Sequence, residues 1–326
     1  MVVRKLAPIA LLLLASACGA APPSFKATDP HSPLLLDRTI PFPDANGRID
    51  HLAIDLTGLR LFVAEVANGT VDAIDLRSGK IVHRIKGLKE PQGAAWLPAE
   101  GELVIACGDG SVHFYGQPDL REIATLPLGD DADNVRVDAR NGQVVVGYGS
   151  GGLATIDPKT HAIVGRILFK GHPEGFRLTG GRAFVNVPDD GAILAIDRDR
   201  GAVIARWSTG AHRLNFPMAL EPDGRSIVIA YRLPATLARI DTASGTTIAS
   251  MRLCGDSDDL FIDAGRTIVV CGAGHVDVVR ATGIEARVET APGARTGLFV
   301  PELRELFVAV PARAKPAAIW VMKLAR

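Results

Sequence analysis

The sequence predicts an all-β fold: a seven-bladed β-propeller whose ring is closed by an N-terminal strand pairing with the last blade. Three observations predict it. First, one phrase recurs seven times: a polar loop, an apolar strand, a turn, a second apolar strand ending in a small residue, then a third strand after a Gly-rich turn. Second, the anchors of the phrase are evenly spaced. They read Leu61-Phe62-Val63-Ala64, Leu103-Val104-Ile105-Ala106, Val144-Val145-Val146-Gly147, Ala183-Phe184-Val185-Asn186, Ile227-Val228-Ile229-Ala230, Ile268-Val269-Val270-Cys271 and Leu306-Phe307-Val308-Ala309, and their third residues lie 42, 41, 39, 44, 41 and 38 apart. A period near 40 with four short strands per unit is the signature of propeller blades, which bury their faces only against one another. Third, the last repeat ends one strand short.

Taken in order, residues 1–18 read as a targeting segment. Arg4 and Lys5 form its positive start, Leu6 to Leu14 its apolar core, and Ala15-Ser16-Ala17 the small residues ahead of Cys18. The apolar run is too short to span a bilayer. Small residues before a Cys resemble a bacterial lipobox, although Ala15 stands where Leu is usual. This implies lipidation at Cys18, with Gly19 directing the protein to the outer membrane. Ordinary cleavage after Ala17 or Ala20 is the alternative. Residues 19–32, rich in Ala, Pro and Ser, read as a flexible tether.

Residues 33–326 form the single propeller domain, in repeats of 47–88, 89–129, 130–171, 172–210, 211–255, 256–293 and 294–326. Third strands end in Asp followed by a turn, as at Asp75, Asp157, Asp197 and Asp241, where the carboxylate can cap backbone N–H groups. Outer fourth strands follow, as in Ile81-Val82-His83-Arg84-Ile85. In repeat seven, Ala318 to Met322 is only the third strand. The run Leu34-Leu35-Leu36-Asp37-Arg38-Thr39-Ile40 is the expected fourth, and it would leave no open sheet edge across the join.

An exported protein can keep disulfides. Cys254 precedes the loop that opens repeat six and Cys271 ends its second strand, so both can reach one rim of that blade. A bridge is expected there, with two buried small apolar cysteines as the alternative. Cys107 is left over as a buried thiol.

The pattern over roughly residues 33–326 resembles the YVTN-repeat, YncE-like family of seven-bladed propellers. The stretches that carry the likeness are Gly47-Arg48-Ile49-Asp50-His51-Leu52, Lys89-Glu90-Pro91-Gln92-Gly93, Gly129-Asp130-Asp131-Ala132-Asp133-Asn134-Val135, His172-Pro173-Glu174, Asn215-Phe216-Pro217-Met218-Ala219-Leu220, Cys254-Gly255-Asp256-Ser257-Asp258-Asp259-Leu260-Phe261 and Ala291-Pro292-Gly293-Ala294-Arg295-Thr296. The resemblance implies a periplasmic or envelope-attached propeller. It implies no catalytic residues.

These stretches share one address, the loops that join each outer strand to the next inner strand. All seven converge on one mouth of the central channel. They carry Arg48, Asp50, His51, Glu90, Gln92, Asp131, Asp133, Asn134, His172, Glu174, Arg213, Asn215, Asp256, Asp258, Asp259 and Arg295. Convergent polar groups at a concave mouth mark a ligand site. The two near-copied loops, 129–133 and 255–259, could hold a hard cation such as Ca²⁺. Phe261 and Thr267 stand where a helix–loop–helix calcium loop needs Gly and Glu, so turn capping and pairing with Arg48, Arg213 or Arg295 is the expected role of these carboxylates. His51, His172 and His212 lie at or beside the mouth, but no two share metal-ligand spacing on one element.

Other chemistry is excluded. Gly147-Tyr148-Gly149-Ser150-Gly151-Gly152 matches G-x-G-x-x-G but precedes a strand, so it reads as a hairpin turn. There is no G-x-S-x-G, no P-loop, no C-x-x-C and no haem site. The 36 basic and 36 acidic residues give no net field, and aromatics make up 5%, so nucleic acid is not a favoured partner. The expectation is a non-catalytic, monomeric binding or scaffold propeller of the periplasm. It would touch the membrane only through its lipid anchor, need no cofactor, and take a small molecule or an envelope protein at the mouth. The alternatives are a metal-dependent lactonase-like hydrolase and an accessory subunit of a periplasmic redox system.

Overall fold

A computed structural model describes residues 22–313 and 315–325, and Cys18 with the targeting segment lies outside them. The chain forms seven antiparallel sheets in a ring. Blade one runs outward from the channel as Ile49–Asp55, Arg60–Glu65, Thr70–Asp75 and Lys80–Lys86. The inner strands of blades two to seven are Pro91–Leu97, Ala132–Val137, Phe176–Thr179, Arg213–Leu220, Ser257–Asp263 and Gly297–Val300.

The strand patterns follow from which faces are covered. The second strands, such as Val144–Tyr148, are buried along their whole length because a neighbouring blade packs on either side. Outer strands such as Ala162–Leu168 alternate exposed and half-buried residues, one face lying on the next blade and one in water. Seven apolar clusters result, one at each junction between blades; Phe42, Leu61 and Phe307 meet where blade seven joins blade one. The core is therefore a ring of seams, and the axis is left to polar side chains. The Asp turns form as expected: Asp75 accepts from the Ser78 N–H at 2.7 Å and Asp241 from the Ser244 N–H at 2.8 Å.

Leu34–Phe42 closes the ring, antiparallel to Ala317–Leu324 from Leu34 opposite Leu324 to Phe42 opposite Ala317. Leu34, Ile40 and Phe42 are fully buried on it, and Arg38 reaches Glu305 at 3.0 Å.

The stretch read as a tether is not wholly free. Ser24–Phe25 adds a fifth, parallel strand to blade six, with Ser24 opposite Arg287 and Phe25 opposite Val288. Ala27 is buried, and its carbonyl accepts from the Leu36 N–H at 2.8 Å. Phe25 and Ala27 supply apolar surface to the seam between blades six and seven, and the outer edge of blade six has unpaired backbone groups to offer.

Cys271 lies opposite Ser257 in the register of blade six, which brings it beside Cys254, three residues upstream. The two are disulfide-bonded, with Cα atoms 5.9 Å apart. Cys107 occupies the matching slot of blade two, opposite Pro91, as a buried free thiol.

Candidate functional site

In five blades the inner strand joins its sheet through a register break. The breaks fall between Ile49 and Leu52, Pro91 and Gly93, Ala132 and Val135, Asn215 and Met218, and Ser257 and Asp259. A bulge leaves residues unmatched by the partner strand and re-aims their side chains. The residues inside these breaks are Asp50 and His51, Gln92, Asp133 and Asn134, Phe216 and Pro217, and Asp258. In four blades the residue ahead of the last one paired before the break is left-handed without being glycine: Glu90 (φ 52°), Asp131 (33°), Leu214 (62°) and Asp256 (59°). Each such residue costs about 1 kcal/mol or more. That the strain recurs at one structural address ties it to the aiming of the channel-mouth side chains.

Neighbouring inner strands crowd together beneath this ring. The Gly175 N–H donates to the Phe216 carbonyl at 3.0 Å. A Cβ on Gly93 would lie 1.8 Å from the Asp133 carbonyl oxygen. The bulges of blades two and three therefore interlock.

The mouth opens into a cavity of about 330 Å³. Twelve of the expected residues line it: Arg48, Asp50, His51, Gln92, Asp131, Asp133, Asn134, His172, Glu174, Asp258, Asp259 and Arg295. Four do not. Glu90 folds over Gly108 in its own blade. Arg213 is exposed and donates to the carbonyls of Gly210 and His212 rather than to an aspartate, because the left-handed Leu214 turns the chain between it and the channel. Asn215 is fully buried between blades four and five, donating to Asn186 Oδ1 at 3.1 Å and to the Ala192 carbonyl at 3.0 Å. Asp256 stands behind the wall, 3.2 Å from Arg232 and 3.3 Å from Arg295. His212 packs on Tyr231, with ring centroids 4.7 Å apart, and is not part of the lining.

Three lining arginines were not anticipated: Arg136, Arg177 and Arg232. Arg136 and Arg177 lie within inner strands, two and three residues beyond Asn134 and Glu174, and so roughly 7–10 Å deeper in the channel. The available signal was a cation inside an apolar run at matching positions of consecutive repeats, Val135-Arg136-Val137 and Phe176-Arg177-Leu178.

Part of the cavity charge is internally paired. Arg48 bonds Asp50, and Arg232 bonds Asp258 while lying over the Phe216 ring, 4.0 Å from its centroid. Gln92 donates to Asp131 at 2.9 Å and the Gly297 N–H to Asp259 at 2.8 Å. Other groups are unpaired. The Asp133 side chain is 8% exposed, and its Oδ1 has no hydrogen-bond partner. Among the described residues Arg136 and Arg177 make no ion pair. Arg136 donates to the Val135 carbonyl and Asn134 Oδ1, and Arg177 to the Phe176 carbonyl.

Titration follows this pattern. Burial, then the charges of Asp133, Asp258 and Asp50, holds the Glu174 carboxyl well above its ordinary range. Burial also raises Asp133 and Asp259, and pushes Asp258 up to about 7 in spite of Arg232. Burial opposes charge on His51, but Asp50 at 3.4 Å and the charges of Asp133 and Asp259 outweigh it and push the imidazole up to about 10. Asp50 is lowered in return: burial works against its charge, and His51 and Arg48 overcome it. Burial, with Arg136 alongside, brings Arg177 down to about 9.

No protein-family model matches the sequence, and no curated protein does. Among solved structures, hydrazine synthase of Kuenenia stuttgartiensis is similar with a TM-score of 0.73, covering 84% of this chain and 93% of that one at 16% identity. At that identity the likeness is one of fold.

Proposed function

We propose that this chain is a non-catalytic binding propeller of the bacterial envelope that takes a small anionic molecule, such as a di- or tricarboxylate, into its channel mouth. The observation that carries the reading is the adjacent pair Arg136 and Arg177, half-buried in the channel wall without a carboxylate partner among the described residues. A guanidinium cannot discharge at neutral pH, so two of them side by side repel until an anion bridges them. Their planar donor sets match a carboxylate bidentately. The cavity volume suits a ligand of metabolite size.

The resemblance to YVTN-repeat, YncE-like propellers and the leader sequence support export to the periplasm, with a lipid on Cys18 as tether and a monomeric domain. The polar loops at the mouth would set ligand selectivity.

The test is thermal unfolding with oxalate, malonate, succinate and citrate, on the native chain and on the Arg136→Gln/Arg177→Gln variant. A ligand at a hundred times its Kd adds about 2.7 kcal/mol, roughly 4 °C for a domain of this size. Stabilisation confined to the native chain, with the ligand recovered unchanged, is the expected result. No stabilisation by any of the four, or equal stabilisation of the variant, defeats the reading.

A further inference from the structure

Asp133 is the common member of two groups whose potential ligand atoms lie within 4.8 Å of one another, Asp50/His51/Asp133 and Asp133/His172/Glu174. The first group is already neutralised from within. Arg48 bonds Asp50, and the His51 ring, 3.4 Å from Asp50 and 3.8 Å from Asp133, stands between two carboxylates. Among the described residues no arginine bonds a carboxylate of the second group, and His172 Nδ1 lies 3.6 Å from Asp131 Oδ2, outside the group.

His172 Nδ1 lies 2.8 Å from the Gly149 carbonyl oxygen, which can only accept, so Nδ1 carries the proton there. A neutral ring in that tautomer has its lone pair on Nε2. Fixing a histidine through a backbone carbonyl on its far nitrogen is how proteins prepare an imidazole as a metal ligand. Among the described residues the Glu174 carboxylate has no hydrogen bond and no ion pair. Asp133 adds a buried carboxylate whose Oδ1 has no partner. A buried carboxylate oxygen without a hydrogen-bond partner is costly unless it meets a cation. Ligand atoms within 4.8 Å of one another need to close by about 1.4 Å, since around a tetrahedral ion with bonds of about 2.1 Å they lie about 3.4 Å apart.

The geometry points to a divalent-cation site formed by Asp133, His172 and Glu174 at the channel mouth. One imidazole with two carboxylates selects a transition ion such as Zn²⁺ or Mn²⁺ over Ca²⁺, which takes oxygen ligands alone. Three protein ligands leave at least one coordination position facing the cavity. The site does not depend on the anion reading, because it is tested with the metal alone.

The experiment is calorimetric titration of chelator-treated, full-length protein with ZnCl₂, MnCl₂ and CaCl₂ separately, in a buffer without carboxylate. One equivalent of Zn²⁺ or Mn²⁺ is expected to bind, with Ca²⁺ at least about tenfold weaker. His172→Gln and Glu174→Gln should each weaken binding about tenfold or more, at the scale of lost metal-site contacts. His83→Gln, on the outer strand of blade one, should not. Metal-free thermal unfolding of each variant establishes that it folds. If His172→Gln does not fold, Glu174→Gln decides, since that side chain makes no hydrogen bond to lose. No heat with either transition ion, Ca²⁺ binding as tightly as both, or binding that survives Glu174→Gln overturns the assignment.

Discussion

Truncating Phe42 to alanine tests whether the N-terminal strand is an integral seventh-blade element. Phe42 is 1% exposed and belongs to the apolar cluster with Leu61, Val63, Phe307 and Ile319 at the seam between blades seven and one. Removing a fully buried phenylalanine side chain costs about 3–5 kcal/mol, the spread reflecting how far the cavity collapses. Unfolding entropy near 60 °C is about 2.1 cal/mol/K per residue, or about 0.6 kcal/mol/K over roughly 300 ordered residues. The expected fall in Tm is therefore about 5–8 °C by circular dichroism. Val82→Ala is the matched control: Val82 is 57% exposed on an ordinary outer strand, and its loss should stay within about 0.5 kcal/mol, under about 1 °C. Deleting residues 34–42 goes further and opens the edge of Ala317–Leu324. Loss of the cooperative transition and self-association through that edge should follow. A Phe42→Ala shift no larger than that of Val82→Ala, or a truncated chain that melts unchanged, refutes closure as the source of the ring's integrity.

A buried carboxyl on blade one and a glycine under the site give two further tests. Glu65, fully buried and accepting from Asn68 at 2.9 Å, is pushed from 4.5 up to about 7, by burial first and then by the Asp72 charge. The native state thus keeps a proton that the unfolded chain releases, so this contribution is complete below about pH 4.5 and is lost as pH rises through 7. Glu65→Gln, whose amide can donate as the protonated acid does, should flatten that slope in urea unfolding. It should also stabilise the protein at pH 8 by on the order of 3 kcal/mol, and an unchanged slope would refute the assignment. Gly93→Ala places a methyl group 1.8 Å from the Asp133 carbonyl oxygen and 2.9 Å from Val135 Cγ2. Overpacking should cost about 1–3 kcal/mol and displace Asp133, weakening Zn²⁺ or Mn²⁺ binding in calorimetry without removing a ligand. Native stability and native binding together would mean that the two bulges do not interlock.

Much of the fold was legible because of how a blade is buried. Its second strand is covered on both faces, so Val144-Val145-Val146 and its six counterparts are unbroken apolar strings that recur at the blade period. The address of the site was legible for a related reason: loops that only turn have little use for Asp, Glu, His and Arg in repeat after repeat. What escaped was set by register. Asn215 and Asp133 look equivalent in sequence, each at the start of an inner strand. The break in blade five spans Phe216 and Pro217 and leaves Asn215 paired opposite Tyr231, turned into the seam, whereas the break in blade three contains Asp133 itself. A bulge is a relation between two strands and has no local signature here. Ser24–Phe25 was hidden likewise, because two residues carry no period and the edge that receives them lies more than 250 residues away.

The propeller also accounts for why charge at the axis is available to a ligand. Apolar burial is concentrated in the seven seams, and most of the side chains lining the channel mouth are polar. In a flexible pocket, Asp133 and Glu174 would collapse onto Arg136 and Arg177 and neutralise them. Here both sets are mounted on the inner strands of blades three and four and the chain entering them, each strand held in register by its second strand, with the carboxylates nearer the mouth and the guanidiniums deeper. Among the described residues no ion pair forms between them. Polar and charged groups left without partners by a rigid frame raise the energy of the free protein. A cation above and an anion below would each relieve that cost, and the two would attract one another across the cavity. Cation binding should therefore tighten carboxylate binding, and by linkage the reverse must hold by the same factor.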